Sequence, residues 1–282
     1  MRISDAGGGM TASESSAQGA FGDAIKVGAD QRRKGEEFRR LHIRGTPLIL
    51  FNVWDAGSAK VIAASGAKAI ATSSWAVAGA NGLTDGERVP RTLAIDNLRR
   101  IVATTDLPVT VDLESGYGDA PEVVRATIAM AIEAGAVGCN LEDSFPANGK
   151  LRETADQSIR IRNARSVADG ADIPFFINAR TDVFFQRPAE QHDNTMVDEA
   201  IERARAYAEA GANGLFAPGL VDIALIARLA EASPLPLNIM VGDGTPPLSL
   251  LAQHEVARVS HGPRPYLVAM KALEEAARRS IV

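Results

Sequence analysis

The 282-residue chain has a single cysteine, Cys139, and four scattered histidines, His42, His192, His254 and His261. One cysteine excludes an intrachain disulfide framework, and no Cys or His pair stands at a zinc-ligating spacing. No apolar run approaches the roughly 20 residues needed to cross a bilayer, so no membrane partner is expected. Basic charge is also short, with 30 Lys and Arg against 35 Asp and Glu for a net charge of -5. The basic residues are dispersed and give no field for nucleic acid. Residues 1–30, rich in Gly, Ala and Ser, lack the continuous apolar core of a secretory signal and read as a loose N-terminal arm on a cytoplasmic protein.

What is present is 46% apolar residues, enough to build one large core over residues 31–282. Eight short strand-like runs recur from residue 47 on: 47–53, 67–74, 107–115, 136–143, 173–181, 212–219, 235–241 and 255–262. Ala-rich segments of helical spacing separate them, among them "DAGSAKVIAASG", "PEVVRATIAMAIEAG" and "MVDEAIERARAYAEAG", each closing on a Gly where a helix C-cap wants a positive φ. Eight strand-helix units, with strands apolar on both faces, predict a single-domain (β/α)8 TIM barrel of the α/β class. The doubly wound alternative lacks a G-x-G-x-x-G after its first strand.

In such a barrel the working residues sit at the C-terminal strand ends. There, "VDLESGYGD" sets Asp112 and Glu114 two residues apart, on one face of a continuous strand. Asn140 and Glu142 share a face of the next strand, with Asp143 at its end. Three carboxylates converging in one mouth would raise each other's pKa unless a cation neutralised them. With oxygen donors only, a hard ion such as Mg²⁺ or Mn²⁺ fits better than zinc. "FFINARTDV" offers Arg180 opposite the acids, suited to a substrate carboxylate or enolate oxygen or to a structural salt bridge with Glu142. Ser73 and Ser74 end the second strand, where hydroxyls and turn amides could hold an anionic oxygen. Asp119 reads as an N-cap, and Cys139, of opposite parity to Asn140, as a small buried hydrophobe.

These motifs together resemble the isocitrate lyase and phosphoenolpyruvate mutase superfamily over roughly residues 45–262. "VDLESGYGD" is similar to its D-x-[DE]-x-G-[YF]-G metal motif, "CNLEDSFP" to its L-E-D-x-x-F-P segment, "SSWAVAGANGLTD" to its serine-led loop, and "FFINARTDVF" to its A-R-[TV]-[DE] strand. The resemblance implies a Mg²⁺ site around Asp112, with Glu114 and Glu142 holding the ion directly or through water and Asp85 orienting its hydration shell. It further implies that Ser73 and the Ser74 amide bind a substrate carboxylate and that Arg180 stabilises an oxyanion. Members commonly form dimers or tetramers that exchange the last helix, for which "PRPYLVAMKALEEAARRSIV" is the candidate.

The departures narrow the chemistry. The lyases' K-[KR]-C-G-H loop is replaced by "FPANGKLRE" at 145–153, without Cys or His. Ala147 stands where the mutases carry a Lys, and Ala217 where they carry a His. The chemistry needing least beyond a metal-stabilised pyruvate enolate is carbon–carbon cleavage or decarboxylation of a small 2-oxo or 2-hydroxy dicarboxylate, oxaloacetate first, with Asn238 and the 145–152 loop shaping selectivity. Phosphonopyruvate hydrolase or mutase chemistry and a non-catalytic 2-oxo acid binding barrel are the alternatives.

Overall fold

The computed structural model describes residues 25–281, so the arm expected at 1–30 lies almost wholly outside the described residues. The described chain begins with α1 (Ala29–Arg40) and continues β1 (Leu48–Leu50), α2 (Ala56–Ala64), β2 (Ile70–Ala71), α3 (Ser74–Ala80), α4 (Arg91–Val102), β3 (Val109–Asp112), α5 (Pro121–Glu133), β4 (Gly138–Glu142) and α6 (Thr154–Gly170). There follow β5 (Phe176–Arg180), α7 (Asn194–Glu209), β6 (Gly214–Ala217), α8 (Ile223–Ala232), β7 (Leu237–Met240), α9 (Leu248–Gln253), β8 (Arg258–Ser260) and α10 (Arg264–Ile281). Every strand falls inside its expected run, shortened at both ends.

The eight strands pair in parallel in the order β1-β8-β7-β6-β5-β4-β3-β2. A parallel bridge between Val53 and Thr72 closes the ring between the ends of β1 and β2, with the Val53 amide donating to the Ala71 carbonyl at 2.8 Å and the Ser73 amide to the Val53 carbonyl at 3.1 Å. The result is a (β/α)8 barrel in one domain. Among the described residues no helix is long and apolar enough to cross a membrane.

Side-chain parity sorts the core into two volumes, as a period of two requires. Val109, Val111, Cys139, Leu141, Ile177, Ala179, Leu215, Leu237 and Ile239 point out into the layer shared with the helices, so Cys139 packs there as expected. Leu48, Leu50, Ala69, Ala71 and Phe176 point in and meet Phe38 of α1, which plugs the barrel floor. That plug sits close: a Cβ on Gly138 would stand 2.7 Å from the Phe176 carbonyl oxygen and 3.2 Å from the Phe38 ring. The helix ends follow their local signals, with Gly66, Gly135 and Gly211 at φ of 89°, 96° and 101° just past α2, α5 and α7.

β1 departs from this order. Its outward residue Ile49 is 37% exposed, while the other seven strands carry no exposed residue. The last helix, α10, buries only Pro265 and leaves Leu267, Val268 and Leu273 about half or more exposed.

Candidate active site

The C-terminal strand ends enclose a cavity of about 260 Å³ whose walls include Asn52, Ser73, Ser74, Asp85, Asp112, Asn140, Arg180, Phe216, Met240 and Ser260. Of the residues expected here, Asp112, Asp85, Ser73, Ser74 and Arg180 line it. Glu114, Glu142 and Asn238 do not.

Asp112 ends β3, and its Oδ2 accepts the Ser74 amide at 3.3 Å. Ser73 caps α3 through its Oγ, which takes the Ala76 amide at 3.4 Å. The Ser74 amide, expected to bind a substrate carboxylate, here donates to the Asp112 carboxylate. Burial, and then the charge of Asp112, push the Asp85 carboxyl above its ordinary value. Among the described residues neither acid is within salt-bridge distance of a Lys or Arg. Two carboxylates facing one cavity without a paired cation suit a hard divalent ion completed by water and ligand oxygens.

The three acids expected around the ion, Asp112, Glu114 and Glu142, are each held differently, though Glu114 feels the charges of Asp85 and Asp112, and Glu142 those of Asp112 and Glu114. Among the described residues no group of three His, Cys, Asp or Glu side chains is gathered as a metal centre. β3 stops at Asp112, and Glu114 is turned into the left-handed region at φ 51°. Strand alternation therefore no longer governs where Glu114 points. Its Oε2 accepts the amides of Gly86 and Glu87 at 2.8 and 2.6 Å. Burial first, and then Asp85, push this carboxyl up to about 8. Glu142 does lie on the inner face of β4, where its Oε2 pairs with Arg180 Nη1 at 2.8 Å. That is the ion pair the residue types allowed. Asp143 turns away and is fully buried, accepting the Asp182 amide at 2.9 Å, the Tyr207 hydroxyl at 2.8 Å and Arg203 Nη1 at 3.2 Å.

Arg180 is braced from two sides. Beyond Glu142, its Nε and Nη2 donate to Asp182 at 2.6 and 3.1 Å. Three of its five N–H groups are thereby used, and the others remain at the cavity wall.

Two further expectations change. Asn238 is absent from the cavity wall and 1% exposed, its Oδ1 accepting the Ser260 hydroxyl at 3.2 Å and its Nδ2 without a partner among the described residues. Asp119 does not cap α5, whose N-cap is Ala120 without a side-chain bond. It accepts Arg152 Nη2 at 2.6 Å instead, tying the end of the 145–152 loop to the β3 loop. That loop is a tight turn in which the Phe145 amide meets the Lys150 carbonyl at 2.9 Å and the Arg152 guanidinium sits 4.0 Å over the Phe145 ring.

Asn52 and Ser260 were missed. Both stand just at or past the ends of recognised strands, β1 and β8, so the rule that pointed to the other six ends pointed to them as well.

The sequence model of the phosphoenolpyruvate phosphomutase family matches residues 38–281. An uncharacterized protein of Mycobacterium tuberculosis is 36% identical over 242 residues, covering 86% of this chain and 87% of that one. The 2-methylisocitrate lyase of Escherichia coli is 31% identical over 252 residues, covering 86% and 81%. The oxaloacetate decarboxylase of Ectopseudomonas mendocina is 31% identical over 189 residues, covering 65% and 62%. Among solved structures, a Burkholderia cenocepacia protein provisionally named a phosphonomutase superposes with a TM-score of 0.87 at 58% identity, covering 89% of this chain and 99% of that one. A phosphonopyruvate hydrolase complexed with oxalate and Mg²⁺ shares the fold with a TM-score of 0.75 at 22% identity, covering 88% and 87%. A match from the first helix to the last, on a barrel whose mouth gathers the four motif segments, makes this chain a member of the phosphoenolpyruvate phosphomutase family, within the isocitrate lyase and phosphoenolpyruvate mutase superfamily.

Proposed function

We propose that the protein is a carbon–carbon lyase or decarboxylase acting on a small, oxaloacetate-like 2-oxo or 2-hydroxy dicarboxylate, with Mg²⁺ or Mn²⁺ held by Asp85 and Asp112. The observation that carries this is the facing of Asp85, Asp112 and Arg180 into one cavity of about 260 Å³, a space for a three- or four-carbon acid and an ion. In this reading Glu114 and Glu142 act behind that pair, Glu114 by holding the loop after Asp85 and Glu142 by holding Arg180. A dication bound there would supply an electron sink for the breaking bond.

The chain's own groups do the rest. Arg180, braced by Glu142 and Asp182, offers its remaining N–H groups to the oxygen on which charge develops, without reorganising as the charge forms. Among the described residues the cavity lining holds no Cys, His, Lys or Tyr, and water can protonate the carbanion carbon. Oxaloacetate decarboxylase of Ectopseudomonas mendocina supports oxaloacetate as the first candidate.

The test is a screen of 2-oxo and 2-hydroxy di- and tricarboxylates with Mg²⁺ or Mn²⁺, followed by NMR. Pyruvate from oxaloacetate is expected. The second reading, phosphonopyruvate hydrolase or mutase chemistry, is favoured by the 58%-identical relative, and phosphate released from phosphonopyruvate would replace the first reading with it. Oxalate binding without any turnover would leave a binding barrel.

We propose in addition that the protein is a homodimer or homotetramer in which α10 of a second copy covers β1. A groove of about 700 Å³ runs along β1, lined by Leu48, Ile49, Phe51 and Ile62, and α10 carries the exposed Leu267, Val268 and Leu273 that could fill it. Light scattering should give a multiple of 29.8 kDa, and Val268→Glu with Leu273→Glu should give a monomer. A monomeric wild type at micromolar concentration would end this proposal.

A further inference from the structure

Beneath the cavity floor the barrel lumen holds a positive charge that the proposed reaction does not yet use. Arg258, pointing inward from β8, is 1% exposed. Among the described residues it has no carboxylate within salt-bridge distance, which is rare for a buried guanidinium. Its Nε donates to Ser260 Oγ at 3.3 Å and its Nη2 to Asn140 Oδ1 at 3.3 Å, while Nη1 has no partner. Both acceptors line the cavity.

The bonds decide what those two residues can show a ligand. Asn140 Oδ1 also accepts Asn178 Nδ2 at 2.9 Å. With two donors on its oxygen, the Asn140 amide is fixed in one orientation, and its NH2 group is the polar end left for the cavity. Ser260 takes the Arg258 bond and spends its proton on Asn238 Oδ1 at 3.2 Å. The floor is therefore a fixed N–H donor over a buried, unpaired cation, which matches an anionic oxygen and mismatches a cation or a neutral donor.

We propose that Arg258 is a positioning residue for the anionic ligand, acting through Asn140 and through its own buried charge to make the cavity floor a subsite for a carboxylate or enolate oxygen. This rests on the reading of the cavity as a site for a small oxo acid with a divalent ion.

The test is calorimetric binding of oxalate to the full chain in the presence of Mg²⁺. Arg258→Met should weaken oxalate by tenfold or more, whereas Arg258→Lys, which keeps the charge, should stay within about threefold of wild type. Because Arg258→Met empties a buried polar network and could fail to fold, Asn140→Asp serves as a second variant. It gains a partner in Arg258 and should fold, yet it places an acceptor where the donor stood and should also weaken oxalate by tenfold or more. Melting temperature alone would follow a structural role; oxalate affinity would not. Wild-type binding that Arg258→Met or Asn140→Asp retains overturns the inference while leaving the site reading intact. A wild type that binds no oxalate with Mg²⁺ overturns both.

Discussion

Glu87 and Glu114 clasp each other's loops. Glu114 Oε2 takes the Gly86 and Glu87 amides at 2.8 and 2.6 Å, and Glu87 Oε1 takes the Ser115 hydroxyl and the Tyr117 amide, each at 2.7 Å. Both residues hold a left-handed backbone, with φ of 59° and 51°. A non-glycine residue there is strained by roughly 1–2 kcal/mol, and the reciprocal bonds offset that strain. The clasp fixes the two loops that carry Asp85 and follow Asp112.

Removing either half of the clasp should loosen both loops. Glu114→Ala leaves two half-buried amides without their acceptor, at up to about 1 kcal/mol each. Hydrogen exchange at 85–87 and 115–117 should rise together in Glu114→Ala and in Glu87→Ala. A double-mutant cycle should show a coupling above about 0.5 kcal/mol. Strict additivity would mean the two bonds act independently.

Asp112→Ala should lower Mg²⁺-dependent turnover by at least about a hundredfold while leaving the melting temperature near wild type. Steady-state rates across a Mg²⁺ titration check this. Unaltered turnover that still requires Mg²⁺ would remove Asp112 from the ion's ligands.

At the opposite end of the barrel, His42 gives the fold an acid sensitivity. Its ring stacks on Phe176 at 3.9 Å, its Nδ1 bonds the Phe38 carbonyl at 2.8 Å, and its Nε2 is cut off from solvent without a partner. Burial first, and then the charge of Arg258, hold its pKa down to about 3 against an ordinary 6.5. The unfolded chain binds a proton below 6.5 that the folded chain refuses. This contribution is full above pH 6.5 and is lost as pH falls towards 3, by up to about 1.4 kcal/mol per pH unit. His42→Phe keeps the stack and should flatten the dependence of urea-unfolding stability on pH between 6.5 and 4. An unchanged slope would assign the acid sensitivity to other groups.

Gly138→Ala should destabilise the barrel without touching the cavity. Its Cβ would press the Phe176 carbonyl at 2.7 Å and the Phe38 ring at 3.2 Å, and neither backbone nor plug can retreat freely. Overpacking of this kind costs about 1–3 kcal/mol. The melting temperature should drop while oxalate affinity, wherever the variant is folded, stays within error of wild type.

The barrel was legible because its signals are local. Alternation along "VTVD", "GCNLE" and "FINAR" follows from a side-chain period of two, and α2, α5 and α7 each close on a glycine, the residue that adopts a left-handed φ most freely. Those same rules brought Asp112, Arg180, Glu142 and Ser73 to inward or mouth-facing positions, and they set Cys139 outward. The rule failed at Glu114 because the strand stops two residues early. The turn there is favoured by amides from a loop 27 and 28 residues back in the chain, which no window over "VDLESGYGD" contains.

Depth inside the barrel was likewise outside the reach of the sequence. Asn238, the second residue of β7 and level with Arg258, is beneath the floor, whereas Ser260, the last residue of β8 and level with Met240, lines the cavity. Strand tilt and stagger decide which inward residue reaches the mouth. In the run "EVARVSHG" Arg258 is a single basic residue between apolar neighbours, and only closure of the ring set it under Asn140 without an acid beside it. The linear order of residues thus determined which side chains point inward. How far up the lumen each one sits, and which of them meet, was decided by the closed sheet, because eight strands must share one stagger before any two inward side chains can become neighbours.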